Sequence, residues 1–149
     1  MKTLIGVGMG PGDPELVTVK AVRVLREADL VLVPVMATGE QGRAEATVRA
    51  HVSHDRITRV VFALNEGGAP ARREAAWDAA ADTAVAAFRE GASAVAFATI
   101  GDPNVYSTFT YLATTVRPRV AGLTVATVPG ITAMQDLAAR SGTVLCEGR

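Results

Sequence analysis

The stretch Ile5-Gly-Val-Gly-Met-Gly-Pro-Gly-Asp-Pro14-Glu-Leu-Val-Thr-Val-Lys20 runs an apolar strand through four glycines and two prolines into a helix. Gly6, Gly8, Gly10 and Gly12 read as a tight turn whose bare amides lie close to a ligand, because glycine tolerates positive φ and has no Cβ. Behind the turn a helix is expected from about Pro14 to Ala28. Asp13 suits its N-cap, Pro14 its first position, and Glu15 complements its dipole. Such an end suits an anion or a polar ligand. Neither common nucleotide loop fits. The dinucleotide pattern needs glycines at i, i+2 and i+5, a spacing that ends on Pro11 from Gly6 and on Asp13 from Gly8. A Walker loop ends in Gly-Lys-Ser/Thr, where this chain has Gly12-Asp13-Pro14.

Outward from this stretch, strands and helices alternate. Leu4 to Gly8 is the first strand, and its helix carries Val17, Ala21, Val24, Leu25 and Ala28 on one face. The unbroken apolar run Leu30 to Val33 suits a strand buried on both faces of a parallel sheet. A short helix over Ala44 to Val52 and a strand over Ile57 to Phe62 follow. Asn65 to Pro70 is a loop, and Arg72 to Arg89 a long alanine-rich helix closed by Gly91. Ala94 to Thr99, a helix over Tyr106 to Val116, Leu123 to Val128 and a helix over Thr132 to Arg140 complete the series. The pattern predicts an α/β fold: a mostly parallel five-stranded sheet with right-handed crossovers and helices on both faces.

The 149 residues amount to about one domain. Lys plus Arg and Asp plus Glu balance at 15 each, so no global field draws the chain to nucleic acid or to an acidic membrane. Cys146 is the only cysteine, which excludes an internal disulfide framework and a cysteine-rich metal site, and the reducing cytosol is the expected compartment. No apolar run approaches the ~20 residues of a spanning helix.

In an open parallel sheet, ligands bind beyond the carboxyl ends of the strands. Three unusual loops follow strands here, Gly8 to Asp13, Ile100 to Val105 and Val128 to Ala133, and they are expected to share one rim. In them, Gly8-Met-Gly-Pro-Gly-Asp13, Gly101-Asp-Pro103 and Pro129-Gly-Ile-Thr132 stand in the order and spacing of a known family. Across its whole length the chain resembles the S-adenosylmethionine-dependent tetrapyrrole methylases. Within that family, Gly101-Asp-Pro-Asn-Val-Tyr-Ser-Thr-Phe109 with Tyr111-Leu112, Ala28-Asp29 before a strand ending at Pro34, and the Trp77-Asp-Ala-Ala-Ala helix are similar to the members that methylate C-20 of precorrin-2 in cobalamin biosynthesis.

The resemblance implies S-adenosylmethionine as methyl donor, held by Met9 and Pro11, by Ile100, Gly101, Asp102 and Val105, and by Thr132 and Ala133. It also implies that Gly10, Gly12 and Asp13 face the tetrapyrrole. Uroporphyrinogen methylases have an aspartate proposed as a base where this chain has Pro34, so no catalytic acid or base is assigned. Family members continue into a second α/β domain, so the chain is expected to be the N-terminal domain. Apolar surface that such a domain covers favours self-association, with a homodimer as the expected form.

Precorrin-2 is rich in carboxylates, for which Arg43, Arg49, His51, His54, Arg72 and Arg73 are candidate rim partners, each also an ordinary solvated side chain. His51 and His54 have an i, i+3 spacing compatible with a metal, but no carboxylate or cysteine pattern accompanies them. Tyr111 is expected to pack α-helix on sheet, and Tyr106 is left open between packing and ligand contact. Methylases of later corrinoids, of diphthamide or of ribosomal RNA, and a non-catalytic assembly module, are the competing readings.

Overall fold

The structure, a computed structural model, describes residues 1–37, 39–53, 55–62 and 70–148, with the side chains of residues 70–73 left aside. Five strands, β1 (Lys2–Gly8), β2 (Leu30–Val35), β3 (Ile57–Val61), β4 (Ala94–Thr99) and β5 (Leu123–Val128), form one sheet in the order β3-β2-β4-β1-β5. Every pairing is parallel. The helices are α1 (Val19–Glu27), α2 (Arg43–His51), α3 (Pro70–Arg89), α4 (Phe109–Val116) and α5 (Ala133–Ser141). The expected loop over Asn65 to Pro70 lies outside the described residues up to 69, and Pro70 opens α3.

The strand order assigns the faces. The connections through α1 and α2 carry the chain one way across the sheet and those through α3 and α4 carry it back, so right-handed crossovers put the two pairs on opposite faces. Two cores result. Ala21, Val24 and Leu25 of α1 and Ala44 and Val48 of α2 pack with Val7, Val31, Val33, Ala96 and Ala98. Ala81, Ala84, Val85 and Phe88 of α3 and Phe109, Leu112 and Val116 of α4 pack with Leu4, Leu32, Val95 and Phe97 on the other side. Odd and even positions of each strand divide between the two cores, as period-2 alternation requires.

Two helices begin later than the sequence suggests. Asp13 caps only a short 3-10 turn, Pro14–Leu16, through a 2.8 Å bond from the Glu15 N–H. The chain is then extended at Val17, and α1 starts at Val19 because the Thr18 hydroxyl caps it by accepting from the Ala21 N–H at 3.0 Å. Helix α4 starts at Phe109 rather than Tyr106: Tyr106 has φ +49°, outside the helical region, and Ser107 Oγ accepts the Phe109 N–H.

The four early glycines also divide in role. Only Gly10 (φ +74°) and Gly12 (φ +134°) use positive φ. Gly6 and Gly8 lie within β1 and serve close approach instead: a Cβ on Gly6 would stand 2.6 Å from the Phe109 ring. That ring stacks on Phe97, which meets Phe62 edge-on at 5.9 Å. Pro34 is accommodated by register. The Val31 N–H bonds to the Arg56 carbonyl just before β3 and the Val35 carbonyl accepts from Phe62 just after it, so Pro34 directs its nitrogen toward β4, whose pairing with β2 has ended at Leu32↔Phe97.

Among the described residues, Glu45 is the charged group with no exposed surface. Glu45 of α2 receives Arg59 Nε at 2.7 Å and Nη2 at 3.0 Å, and Arg49 Nε at 2.8 Å, which ties α2 to β3. The Arg59 bonds hold the Glu45 carboxyl below its ordinary value of 4.5 against the opposing effect of burial, and Arg49 adds to the lowering. Asp29, whose Oδ2 accepts the Ala94 and Ser93 N–H groups at the start of β4, is likewise held below its ordinary 3.8 by those bonds, Ala94 foremost.

Both carboxyls ionise more readily in the folded chain. The stability they confer is therefore complete above their unfolded values and is lost as pH falls through their folded ones. Glu45→Gln is expected to cost about 2 kcal/mol near neutral pH, the worth of a hydrogen bond to a charged group. It should also flatten the acid limb of a urea-midpoint profile; an unchanged limb would show that Glu45 does not carry it.

Candidate functional site at the carboxyl end of β4

Strand β4 sends its chain to α4, on the face opposite to α1 and α2, which receive the chain from its neighbours β1 and β2. Crevices therefore open on both sides of its carboxyl end, the position at which open α/β sheets bind ligands.

On the β1 side the three motif loops are joined to one another. The Met9 N–H donates to the Thr99 carbonyl at 2.8 Å. Gly10 and Gly101 exchange backbone bonds of 3.3 and 2.7 Å, an isolated antiparallel bridge between the first two loops. Asp102 brings in the third: its Oδ1 accepts the Gly130 N–H at 2.9 Å, and its Oδ2 accepts the Asn104 N–H at 2.8 Å. Backbone then meets backbone. A Cβ on Gly8 would lie 2.6 Å from Gly130 N and 2.7 Å from the Gly101 carbonyl oxygen, and a Cβ on Gly130 would collide with that same oxygen.

These contacts assign parts to the expected residues. Met9 is fully buried in the core under α1 and α2 and shapes the loop from below. Gly10 and Pro11 are buried, and Gly12 and Asp13 half-buried, along the first loop. Asp102, only 8 % exposed and with both oxygens bonded to N–H groups, is the tie between loops. Thr132 is the N-cap of α5 in a reciprocal capping box with Gln135. Ile100, Val105 and Ala133 leave accessible apolar surface along the rim. Gly101 is buried with φ +70°, and a Cβ there would make only an ordinary contact with Thr132 Cα at 3.9 Å, so it is the backbone angle that calls for glycine.

On the β2 side, where β2 and β4 part, lies a cleft of about 360 Å³ walled by Val35, Met36, Phe62, Ile100 and the fully exposed Tyr106, with Arg43 at its edge. Arg43 Nη2 donates to the Pro11 carbonyl at 3.3 Å, so the first loop is braced from α2. Of the other rim candidates, Arg49 is paired with Glu45. His51 Nε2 lies 2.6 Å from the Pro14 carbonyl, to which it donates as the N–H tautomer, tying α2 to the 3-10 turn. His54 and the side chains of Arg72 and Arg73 lie outside the described residues. Tyr111 stacks on Trp77 with centroids 4.3 Å apart and joins α3 to α4, so it packs helix on helix rather than helix on sheet as expected.

Sequence reasoning missed Glu45 and Arg59. The i, i+4 spacing of Glu45 and Arg49 was a readable signal, whereas nothing local points to Arg59.

The sequence profile of the tetrapyrrole (corrin/porphyrin) methylases matches residues 3–149. The chain belongs to this family. It is 34% identical over 152 residues to a precorrin-2 C(20)-methyltransferase of a Sinorhizobium species, covering 97% of this chain and 60% of the relative. It is 31% identical over 140 residues to a cobalt-precorrin-2 C(20)-methyltransferase of Salmonella typhimurium, covering 93% and 56%. Among solved structures, a cobalamin synthesis related protein (CobF) of Corynebacterium diphtheriae superposes with a TM-score of 0.78 at 26% identity, over 99% of this chain and 60% of that one. The chain thus spans about three fifths of the length of relatives it matches. The parallel sheet with helices on both faces is the architecture expected from the sequence.

Gly130→Ala must separate the third loop from the other two. A loss of about 1–3 kcal/mol is expected, the range for overpacking a tight contact. Asp102→Ala, which leaves the Gly130 N–H without its acceptor, should cost about as much as other unsatisfied buried donors, 1–3 kcal/mol. Urea denaturation measures both; an Asp102→Ala midpoint equal to that of the parent would show that the loops hold without the tie.

Proposed function

We propose that the chain is the N-terminal domain of an S-adenosylmethionine-dependent methyltransferase that acts at C-20 of precorrin-2, or of its cobalt-containing form, in cobalamin biosynthesis. The observation that carries this reading is the joining of three motif loops at one sheet end by Asp102 and by glycine-to-glycine contact. Relatives named for the metal-free and the cobalt-containing substrate match to a similar degree, so both substrates belong to the proposal.

The crevice fits such a donor on its own chemistry. Val105 and Ala133 leave apolar surface exposed beside the joined loops, and Thr132 opens α5 next to it. When bound, S-adenosylmethionine supplies a methyl group on a positively charged sulfur, transferred in line to an electron-rich carbon. The task of this chain is alignment, and fixing two reactants in a reactive geometry can account for about 7–11 kcal/mol of a barrier. Asp102 holds the second and third loops in register, Met9 and the core beneath it support the first, and Gly10, Gly12 and Asp13 edge the acceptor side. No residue is assigned as acid or base: Asp102 serves to tie the loops together, and Pro34 has no titratable group.

Two further features belong to the proposal. Met134 and Leu137 on α5 and Val144 and Leu145 beyond it are each more than half exposed, which supports self-association as a homodimer. Cys146 is exposed and unpaired, in keeping with a reducing cytosol, and among the described residues no helix is long and apolar enough to cross a membrane. Leu137→Asp is expected to shift the sedimentation coefficient toward that of a monomer; a parent chain that sediments as a monomer at high concentration would refute the association.

Calorimetric titration of the chain with S-adenosylhomocysteine tests the main reading. One-site saturable binding is expected, weakened about tenfold, or 1.4 kcal/mol, by Asp102→Ala. A folded parent chain that evolves no binding heat and gives no thermal stabilisation with this ligand would overturn the assignment of these loops as the donor site.

A further inference from the structure

We propose that Arg43 is the specificity residue that binds an acidic side chain of the acceptor, in the cleft between β2 and β4; this rests on the methyltransferase reading above. The cleft wall is mostly apolar, formed by Val35, Met36, Phe62, Ile100 and Tyr106, and Arg43 is the one charged group among its described lining residues. A flat apolar body with a carboxylate at its periphery matches that arrangement: the body lies on the wall and the carboxylate meets the guanidinium.

Arg43 is suited to this by what it does not do. Arg23, Arg49, Arg59, Arg119 and Arg140 are each paired with a carboxylate, Arg140 with Asp136. Arg43 has no such partner among the described residues, and its one hydrogen bond goes to the neutral Pro11 carbonyl. A guanidinium carries five N–H donors, so most of its donors remain for a ligand, in a planar fork that matches a carboxylate. The nearest acidic group along the first loop, Asp13, accepts the Glu15 N–H and shares a second depression with Arg43 and Arg140.

The position of Arg43 is also held. Gly42, just before it, lies so close to β2 that a Cβ would stand 2.7 Å from the Pro34 carbonyl oxygen. Two residues further on, buried Glu45 anchors the same helix to Arg59 of β3. The guanidinium therefore projects from a fixed base between the donor loop and the apolar cleft, where it can orient an acceptor relative to the donor.

The experiment uses uroporphyrin III, a stable tetrapyrrole with eight carboxylates, as a fluorescent probe of the full chain, with S-adenosylhomocysteine calorimetry and urea midpoints measured in parallel. Arg43→Met should weaken uroporphyrin binding about tenfold or more, a clearly larger fall than in S-adenosylhomocysteine affinity, where only the bond to the Pro11 carbonyl is lost. Arg43→Lys, which keeps the charge but loses the fork, should recover part of the loss. Equal uroporphyrin affinity in parent and Arg43→Met would overturn the proposal. So would a parallel fall in S-adenosylhomocysteine affinity, which would make Arg43 only a brace for Pro11, and so would a folded parent that binds S-adenosylhomocysteine but no uroporphyrin. Failure of the donor reading is separate, because it appears as absent S-adenosylhomocysteine binding in the parent chain.

Discussion

The carboxyl rim of this sheet depends on a backbone contact between Gly8, Gly101 and Gly130 that leaves no room for a Cβ on Gly8 or on Gly130. Three chain segments remote in sequence reach that point because β4 and β5 both pair with β1, in registers that bring Gly8 opposite Thr99 and Val7 opposite Val128. Once the strands end, the loops continue the same proximity. Gly10 and Gly101 extend the β1–β4 ladder by one bridge, and Asp102 crosses to Gly130. A buried carboxylate that accepts two N–H groups is a stronger tie than a neutral acceptor would be. Its cost of burial is offset because both oxygens are bonded.

A second polar device acts one strand further out. Arg59 joins β3 to α2 by two charge-assisted bonds from one guanidinium to Glu45, and Arg49 on α2 adds a third to the same carboxylate. The partly exposed arginines keep much of their hydration while the carboxylate is buried, so the pair avoids the full desolvation that makes completely buried ion pairs weak. Its structural effect is positional. Helix α2 carries Arg43, which braces the Pro11 carbonyl, and His51, which bonds the Pro14 carbonyl, so the first loop and the turn after it are held from outside as well as from β4.

Much of this was legible in the sequence and some of it was not, for identifiable reasons. The apolar runs at Leu30 to Val33 and Ala94 to Thr99 could only be buried strands, and the glycine- and proline-marked loops after them could only lie at strand ends. Local signals failed where two capping groups competed. Asp13 and Thr18 each suit an N-cap; Asp13 closes a 3-10 turn and Thr18 begins the helix. Gly6 and Gly8 look like turn residues beside Gly10 and Gly12, yet they stand in β1 because Phe109 and Gly130 press against it. Tyr106 resembles the start of a helix by composition, and its positive φ has no marker in the residue itself.

By itself, the sequence determined the alternation of strand and helix, the parallel class of the sheet and the three loops that meet at its rim. Those properties follow from periodicity and from the chemistry of glycine and proline within short windows. Tertiary structure alone decided the order β3-β2-β4-β1-β5, and with it the two crevices beside β4. It likewise decided the pairing of Glu45 with Arg59, 14 residues apart, and of Asp102 with Gly130, 28 residues apart. Such partners are chosen by which strands become neighbours, and that choice rests on packing two faces of one sheet at once rather than on any local preference.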